Sequence, residues 1–151
     1  MGQLLNANCL CGYKAEEEIL VGALRSNYHT VCCFPFLCED CHEVFDGDLY
    51  VYRNLCTTCG GENVKSFEDP SLYQASADAH EIASWDVIEW SALQPDFFPE
   101  KLTLLEKIKR WWRPTPRERS ISRTVALMDI GHYCPKCCNY GLCFELTAMV
   151  D

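Results

Sequence analysis

The chain has 151 residues, a formal net charge of −9 and 12 cysteines. Its length predicts one domain with a modest core, and no stretch approaches the roughly 20 consecutive apolar residues of a membrane-spanning helix. The first residues have neither the basic stretch nor the apolar run of a secretion signal. We therefore expect a cytoplasmic protein whose thiols bind metal and do not form disulfides.

The charge is distributed unevenly along the chain. Residues 1–100 contain 17 acidic and four basic residues, whereas residues 101–123 contain eight basic and two acidic ones. Binding to nucleic acid requires clustered Lys and Arg side chains that neutralise phosphates. The acidic remainder is therefore not expected to bind nucleic acid by charge, and segment 101–123 is the one candidate for such binding.

The first cysteine pair, Cys9 and Cys11, is followed by Gly12, which permits the tight bend of a metal-binding knuckle. Two thiols do not complete a metal site. The best candidates for the remaining ligands are Cys134 and Cys137, which lie in a Cys-Pro-Lys-Cys knuckle near the other end of the chain. The competing ligands are the other cysteines and the histidines: Cys32, Cys33, Cys138, Cys143, His29, His42, His80 and His132.

Two apolar stretches precede the next cysteine pair. Residues 16–24 predict a short β-strand behind an acidic run, with Gly22 as a bend, and residues 28–36 predict a strand that enters the first Cys-x-x-Cys knuckle. Neighbouring side chains on a strand point to opposite faces. We therefore expect one of Cys32 and Cys33 to lie in the core and the other to face outwards.

Two Cys-x-x-Cys pairs follow, Cys38 with Cys41 and Cys56 with Cys59, at a spacing close to that of a zinc ribbon. Four thiolates complete a tetrahedral site and leave no open position for substrate, so a structural role is expected. Between the pairs, residues 46–48 (Asp-Gly-Asp) predict a turn and residues 49–53 an alternating strand. Residues 64–67 predict a third ribbon strand.

The middle of the chain predicts helices. Residues 75–93 have apolar side chains at helical spacing, although part of this stretch also fits a strand. Residues 100–112 predict a second helix with one apolar half. Its basic and tryptophan side chains form a candidate surface for a partner, nucleic acid or anionic lipid, namely Lys107, Arg110, Trp111, Trp112 and Arg113. Alternatively, the apolar half packs on the body.

The remaining chain predicts an exposed basic loop at 114–123, an apolar segment at 125–130 and a closing strand at 142–150. His132, two residues before Cys134, is an alternative ligand or a core residue. No catalytic triad, phosphate-binding loop or open metal site appears, so we do not expect an enzyme.

Several motifs occur in an order that resembles small uncharacterised bacterial zinc-ribbon proteins with two Cys-rich sites. They are Cys-x-Cys-Gly-Tyr from Cys9, Phe-Pro-x-x-Cys-x-x-Cys from Phe34, Cys-x-x-Cys-Gly-x-x-Asn-Val from Cys56, Asp-Pro-Ser-Leu from Asp69 and Tyr-Cys-Pro-Lys-Cys from Tyr133. The resemblance covers residues 8–73 and 131–151. It implies rubredoxin-like knuckles in an intracellular bacterial or phage protein, and it implies no activity. The chain departs from the pattern in its first pair, which is Cys-x-Cys where many knuckles have Cys-x-x-Cys, and at Cys138, where a glycine is usual.

Together these features predict a small, metal-stabilised α+β protein that is rich in β-strands and has a partly helical insertion. The predicted organisation is one domain over 1–151, with a zinc ribbon at 31–69, an insertion at 70–123 and a second ribbon-like half from 5–30 and 124–151. We expect two Zn²⁺ ions, with iron as the alternative, and a protein partner. Nucleic-acid binding through 101–123 and rubredoxin-like electron transfer are the alternative functions.

Overall fold

The computed structural model describes residues 2–24, 30–51, 53–88 and 121–150. These residues form eight β-strands and a single 3₁₀ turn at Pro70–Leu72. The strands are β1 (Gly2–Cys9), β2 (Ile19–Gly22), β3 (Cys33–Cys38), β4 (Val44–Asp48), β5 (Val64–Ser66), β6 (Glu81–Ile88), β7 (Ile121–Met128) and β8 (Leu142–Val150).

Six of the strands form one antiparallel sheet in the order β4-β3-β2-β1-β8, with β5 paired to β3. The first and last strands of the chain are therefore neighbours. Cys9 at the end of β1 lies opposite Leu142 at the start of β8. This pairing brings the N-terminal knuckle to the C-terminal one, although more than a hundred residues separate them in sequence.

The other two strands, β6 and β7, form a hairpin that packs against this sheet. Ala83 and Val87 are buried at alternate positions of β6, with Trp85 between them. Trp85 lies against Gly22, which has a φ of 89° and ends β2. The core is built from apolar side chains of both sheets and of the connecting segments, including Leu5, Val21, Phe34, Leu127 and Phe144.

The prediction of a helix over residues 75–93 is wrong at Glu81–Ile88, which form β6. The alternative of a strand is the correct one there. Ser84 and Asp86 are exposed, whereas Ala83 and Val87 are buried and Trp85 is partly buried. This alternation is the two-residue period of a half-buried strand. The pairing with β7 supplies the backbone hydrogen-bond partners that a helix would have supplied internally.

The predicted turn at 46–48 and strand at 49–53 are also wrong. Asp46, Gly47 and Asp48 lie within β4, which pairs with β3, and the chain turns only after Asp48. Gly47 is suited to a strand here because the ring of Phe36 occupies the space where a Cβ would lie. The turn is held by Asn54, whose Oδ1 accepts the N–H of Asp48 at 2.8 Å.

The strand predicted at 28–36 is confirmed only from Cys33, where β3 begins. The exposed loop predicted at 114–123 is wrong at 121–123, where pairing with β6 begins β7. The remaining strand predictions are confirmed, with shorter bounds at two of them. The structure contains β2 and β5 within the predicted stretches and β8 at the predicted one. Strand β1 was not predicted from the sequence. The described residues therefore form a strand-rich fold, and a helical insertion is not shown among them.

The predicted helix at 100–112 lies outside the described residues. No helix within the described ranges has the length and apolarity of a membrane span.

Candidate metal centres

The first group of thiols, which we call the ribbon cluster, comprises Cys38, Cys41, Cys56 and Cys59. Cys38 ends β3 and Cys41 closes the turn that leads to β4, whereas the other pair lies on the turn before β5. The Sγ atoms of Cys38 and Cys59 are 3.6 Å apart, and those of Cys41 and Cys56 are 3.5 Å apart. The N–H of Glu39 donates to the carbonyl of Asn63 at 2.9 Å and joins the two knuckles.

The second group, the terminal cluster, comprises Cys9, Cys11, Cys134 and Cys137. It lies where β1 ends and β8 begins. The Sγ atoms of Cys9 and Cys137 are 3.8 Å apart, and those of Cys11 and Cys134 are 3.6 Å apart. The sequence left several candidate ligands open for this site. The structure brings together these four cysteines.

Both clusters have dimensions that fit a tetrahedral metal ion. Within each cluster the four Sγ atoms lie within 4.8 Å of one another. A Zn–S bond of about 2.3 Å implies sulfur atoms about 3.8 Å apart at the corners of a tetrahedron, whereas a disulfide requires about 2.05 Å. All eight cysteines are free. Each cluster could therefore hold one metal ion, and the all-sulfur donor set is suited to Zn²⁺ or to iron.

The turn after each cysteine pair places one residue in the left-handed conformation. Its N–H bonds back to the carbonyl of the first cysteine of the pair at 2.9–3.0 Å. These residues have φ values of 85°, 61°, 72° and 55° and are, in order, Gly12, His42, Gly60 and Cys138. Cys138 thus occupies the position that glycine usually takes and still adopts its conformation. The cysteine at this position does not prevent the knuckle from forming.

Backbone N–H groups point at the sulfur atoms, as a site for thiolates requires. Burial raises the pKa of Cys11, but hydrogen bonds from the N–H of Tyr13 and from neighbouring thiols lower it overall to about 7. In the ribbon cluster, burial raises the pKa of Cys56, but the N–H groups of Cys59 and Thr58 contribute to lowering it to about 7. Burial raises the pKa of Cys41 and Cys134 to about 12. A cation bound by all four sulfurs would stabilise the thiolates against their mutual repulsion.

The histidines within the described residues belong to neither cluster. His132 is 2% exposed and packs among the rings of Phe67, Tyr73 and Phe144, with Nε2 2.8 Å from the carbonyl oxygen of Met128. Burial lowers the pKa of His132 to about 4, so the ring is neutral at pH 7. It is a core residue, which was the alternative to a ligand. His42 and His80 are exposed, and His29 lies outside the described residues.

The four other cysteines also lie outside the clusters. Cys32 is buried and Cys33 is partly exposed, as expected for neighbours at the start of a strand. Burial raises the pKa of Cys32 to about 11 and of Cys33 to about 12, which keeps both thiols protonated at pH 7. Cys143 is partly buried on β8, and its Sγ lies 3.8 Å from the carbonyl oxygen of Gly141.

A groove of about 190 Å³ opens beside β2 and β4. Its floor includes Ile19, Val44 and Phe45, and its rim carries carboxylates without a basic side chain, from Glu16, Glu17, Glu18, Glu43 and Asp46. Asp46 is half-buried; burial raises its pKa and the charge of Glu17 adds to the shift. The described surface is thus strongly acidic here, in agreement with the charge distribution of the sequence.

The predicted partner-binding residues Lys107, Arg110, Trp111, Trp112 and Arg113 lie outside the described residues. Of the basic segment, the structure describes only residues 121–123, which begin β7. There Arg123 forms an ion pair with Glu68 at 3.0 Å. Binding of nucleic acid through 101–123 stays a prediction.

Comparison with models of protein families, with curated proteins and with solved structures finds no match for this chain. The resemblance to bacterial zinc-ribbon proteins therefore has no support from relatives. The two clusters of four cysteines are the part of that resemblance that the structure supports.

Two residues connect the two clusters: Tyr13, the last residue of the Cys-x-Cys-Gly-Tyr motif, and Glu43, which belongs to none of the motifs. The phenol of Tyr13 donates to Oε1 of Glu43 at 3.2 Å and accepts the N–H of Val44 at 3.0 Å. Tyr13 lies two residues after Cys11 and Glu43 two residues after Cys41. The motif draws attention to Tyr13 and the position after a knuckle to Glu43, but nothing in the spacing indicates that the two residues meet.

Proposed function

We propose that this chain is a zinc-binding interaction protein, in which two structural zinc ions hold a small β-fold that binds a protein partner. The observation that carries the zinc proposal is the convergence of eight thiols into two groups of four, each with the dimensions of a tetrahedral site. Each cysteine pair lies beside a second pair, whereas a redox Cys-x-x-Cys normally stands alone.

A structural role for the metal is favoured over catalysis by the number of ligands. A tetrahedral ion bound by four thiolates has no open position for water or substrate. Small folds with thin cores also obtain much of their folding free energy from metal binding. Here the ribbon cluster joins β3 to β5, and the terminal cluster joins the two ends of the chain.

A protein partner is proposed from the surface charge. The chain carries a net charge of −9, and its described surface includes the acidic groove beside β2 and β4. A field of this sign accelerates association with basic partners and repels nucleic acid. We therefore propose a basic protein surface as the partner.

The experiment that tests the zinc proposal is native mass spectrometry of the purified chain with elemental analysis. We expect two zinc ions in the wild type and one in each of Cys38→Ser and Cys134→Ser. A control variant, Cys143→Ser, removes a thiol outside the clusters and should retain both ions. A chain that binds no metal would contradict the proposal.

Iron is the chemical alternative, because four thiolates bind it with similar geometry. A coloured protein with iron in both clusters would replace the zinc proposal by rubredoxin-like electron transfer. A colourless protein with stoichiometric zinc would exclude that function.

A further inference from the structure

A short path of hydrogen bonds runs from one cluster to the other. It begins at Cys9, whose N–H donates to the carbonyl of Tyr13 at 3.0 Å. The phenol of Tyr13 bonds to the side chain of Glu43 and to the N–H of Val44. It ends at Cys38, whose N–H donates to the carbonyl of Glu43 at 2.9 Å. Two residues therefore connect a thiol ligand of the terminal cluster to one of the ribbon cluster.

Each of these two residues also lies close to a cysteine of its own cluster in the chain. Tyr13 is two residues after Cys11, and Glu43 is two residues after Cys41. The same carboxylate oxygen of Glu43 accepts the N–H of Glu16 at 3.2 Å, which further holds the segment after the first knuckle. The segment after each knuckle is thus bonded through its backbone N–H to a side chain of the other segment, Val44 to the phenol of Tyr13 and Glu16 to the carboxylate of Glu43.

We propose that the two metal centres bind their ions cooperatively and that Tyr13 is the positioning residue that couples them. This inference rests on the proposed metal binding. A metal ion in the terminal cluster fixes the backbone around Cys11 and with it the phenol of Tyr13. The phenol then holds Glu43 and Val44 in the arrangement that the ribbon cluster requires, so a second ion binds to a segment that is already ordered.

The coupling must act equally in both directions, because it is a free energy shared by two binding sites. Coupling between sites commonly changes affinity by about 5- to 150-fold, and a single hydrogen bond falls at the lower end of that range. We expect the ribbon cluster to bind zinc about tenfold more tightly when the terminal cluster is filled than when it cannot be filled.

The test measures the occupancy of each cluster separately in the full chain at buffered zinc concentrations. Pulsed alkylation of free thiols, followed by mass spectrometry of peptides, reports the cysteines of each cluster. The affinity of the ribbon cluster is measured in the wild type and in a Cys134→Ser/Cys137→Ser background. The reciprocal experiment measures the terminal cluster in a Cys38→Ser/Cys41→Ser background and should give the same factor.

Three variants separate coupling from a general loss of stability. The coupling ratio is the zinc affinity of the ribbon cluster when the terminal cluster is filled, divided by its affinity when the terminal cluster cannot be filled. Tyr13→Phe should reduce this ratio from about tenfold to about twofold or less. Glu43→Gln keeps an oxygen that accepts the phenol and should preserve most of the ratio. Tyr140→Phe is the matched control, since Tyr140 follows Cys137 by three residues and its phenol donates to the carbonyl of Ser71, a residue of neither cluster.

A wild-type ratio near one would overturn the coupling and leave the zinc proposal intact. A ratio that Tyr13→Phe leaves unchanged would overturn the role of Tyr13, as would an equal loss in Tyr140→Phe. If Tyr13→Phe does not fold, the wild-type ratio and its reciprocal still decide whether the centres are coupled. A chain without bound metal would overturn both proposals.

Discussion

The indole ring of Trp85 occupies the space into which a Cβ on Gly22 would project. Gly22 ends β2 of the main sheet and Trp85 lies in β6 of the hairpin, so the contact joins the two sheets at a residue with no side chain. The φ of Gly22 is 89°, a conformation that other residues adopt only with strain. Two independent requirements for glycine therefore meet at one position.

Substitution Gly22→Ala should destabilise the fold by about 2–4 kcal/mol, because the left-handed conformation and the displaced indole each cost about 1–2 kcal/mol. Chemical denaturation at saturating zinc measures the change. Gly60→Ala is the matched control, since Gly60 has a φ of 72° but no described neighbour within 4 Å of the place that a Cβ would take. It should lose only about 1–2 kcal/mol. Equal losses in the two variants would contradict the contribution of Trp85.

The two clusters should contribute unequally to stability. Cys9 and Cys137 are 128 residues apart, whereas Cys38 and Cys59 are 21 residues apart. Because the entropy of loop closure grows with the logarithm of loop length, the terminal cluster should stabilise the chain by about 1.5 kcal/mol more than the ribbon cluster. Urea denaturation of Cys134→Ser and Cys38→Ser at one buffered zinc concentration measures the difference. Cys138→Ser, which removes an exposed thiol, is the control; a greater loss in Cys38→Ser would refute the prediction.

Replacement of Cys138 tests whether its left-handed backbone conformation costs stability and whether its thiol binds metal. Cys138→Gly relieves a φ of 55°, which favours the folded state by about 1 kcal/mol, while the added freedom of the unfolded chain offsets part of this gain. We expect unchanged or slightly higher stability and two bound metal ions by native mass spectrometry. Cys137→Ser should lose one ion. Loss of an ion in Cys138→Gly would show that Cys138 is a ligand.

Removal of the charge at Asp46 should stabilise the protein at neutral pH. Burial raises the pKa of Asp46, and Glu17 adds to the shift. A carboxyl group with a raised pKa in the folded state destabilises that state above this pKa, and the penalty disappears as the pH falls below the ordinary pKa of aspartate. Asp46→Asn should therefore raise the free energy of unfolding by less than about 1 kcal/mol at pH 7.

The gain in Asp46→Asn should stay constant around neutral pH and shrink as the pH falls through the raised pKa of Asp46 towards the ordinary value of about 3.9, which denaturation at constant free zinc measures. Glu18→Gln removes a charge from an exposed residue of the same acidic groove and is the control. A gain in Asp46→Asn that grows towards low pH would contradict the sign of this argument.

Local sequence was sufficient to indicate the cysteines that could bind metal, because a knuckle is a local structure. One or two residues between cysteines, followed by a tight turn, place both thiols on the same side of the chain. The need for four ligands made Cys134 and Cys137 the best candidates to complete the site of Cys9 and Cys11, and the structure brings these four together. The closing strand β8 was likewise visible as an apolar run after the last knuckle.

Tertiary structure decided the features that depend on residues far apart in sequence. Glu81–Ile88 satisfy both helical and strand spacing, and pairing with Ile121–Met128 selects the strand because it supplies hydrogen bonds along the whole segment. Gly47 belongs to a strand because Phe36 covers it, and Gly22 must be glycine because Trp85 covers it. Tyr13 and Glu43 meet only because the tertiary fold brings the ends of their two knuckles together, although β3 lies between β2 and β4 in the sheet. Spacing therefore determined which residues could bind metal, whereas the packing of the sheet determined how the two centres are connected.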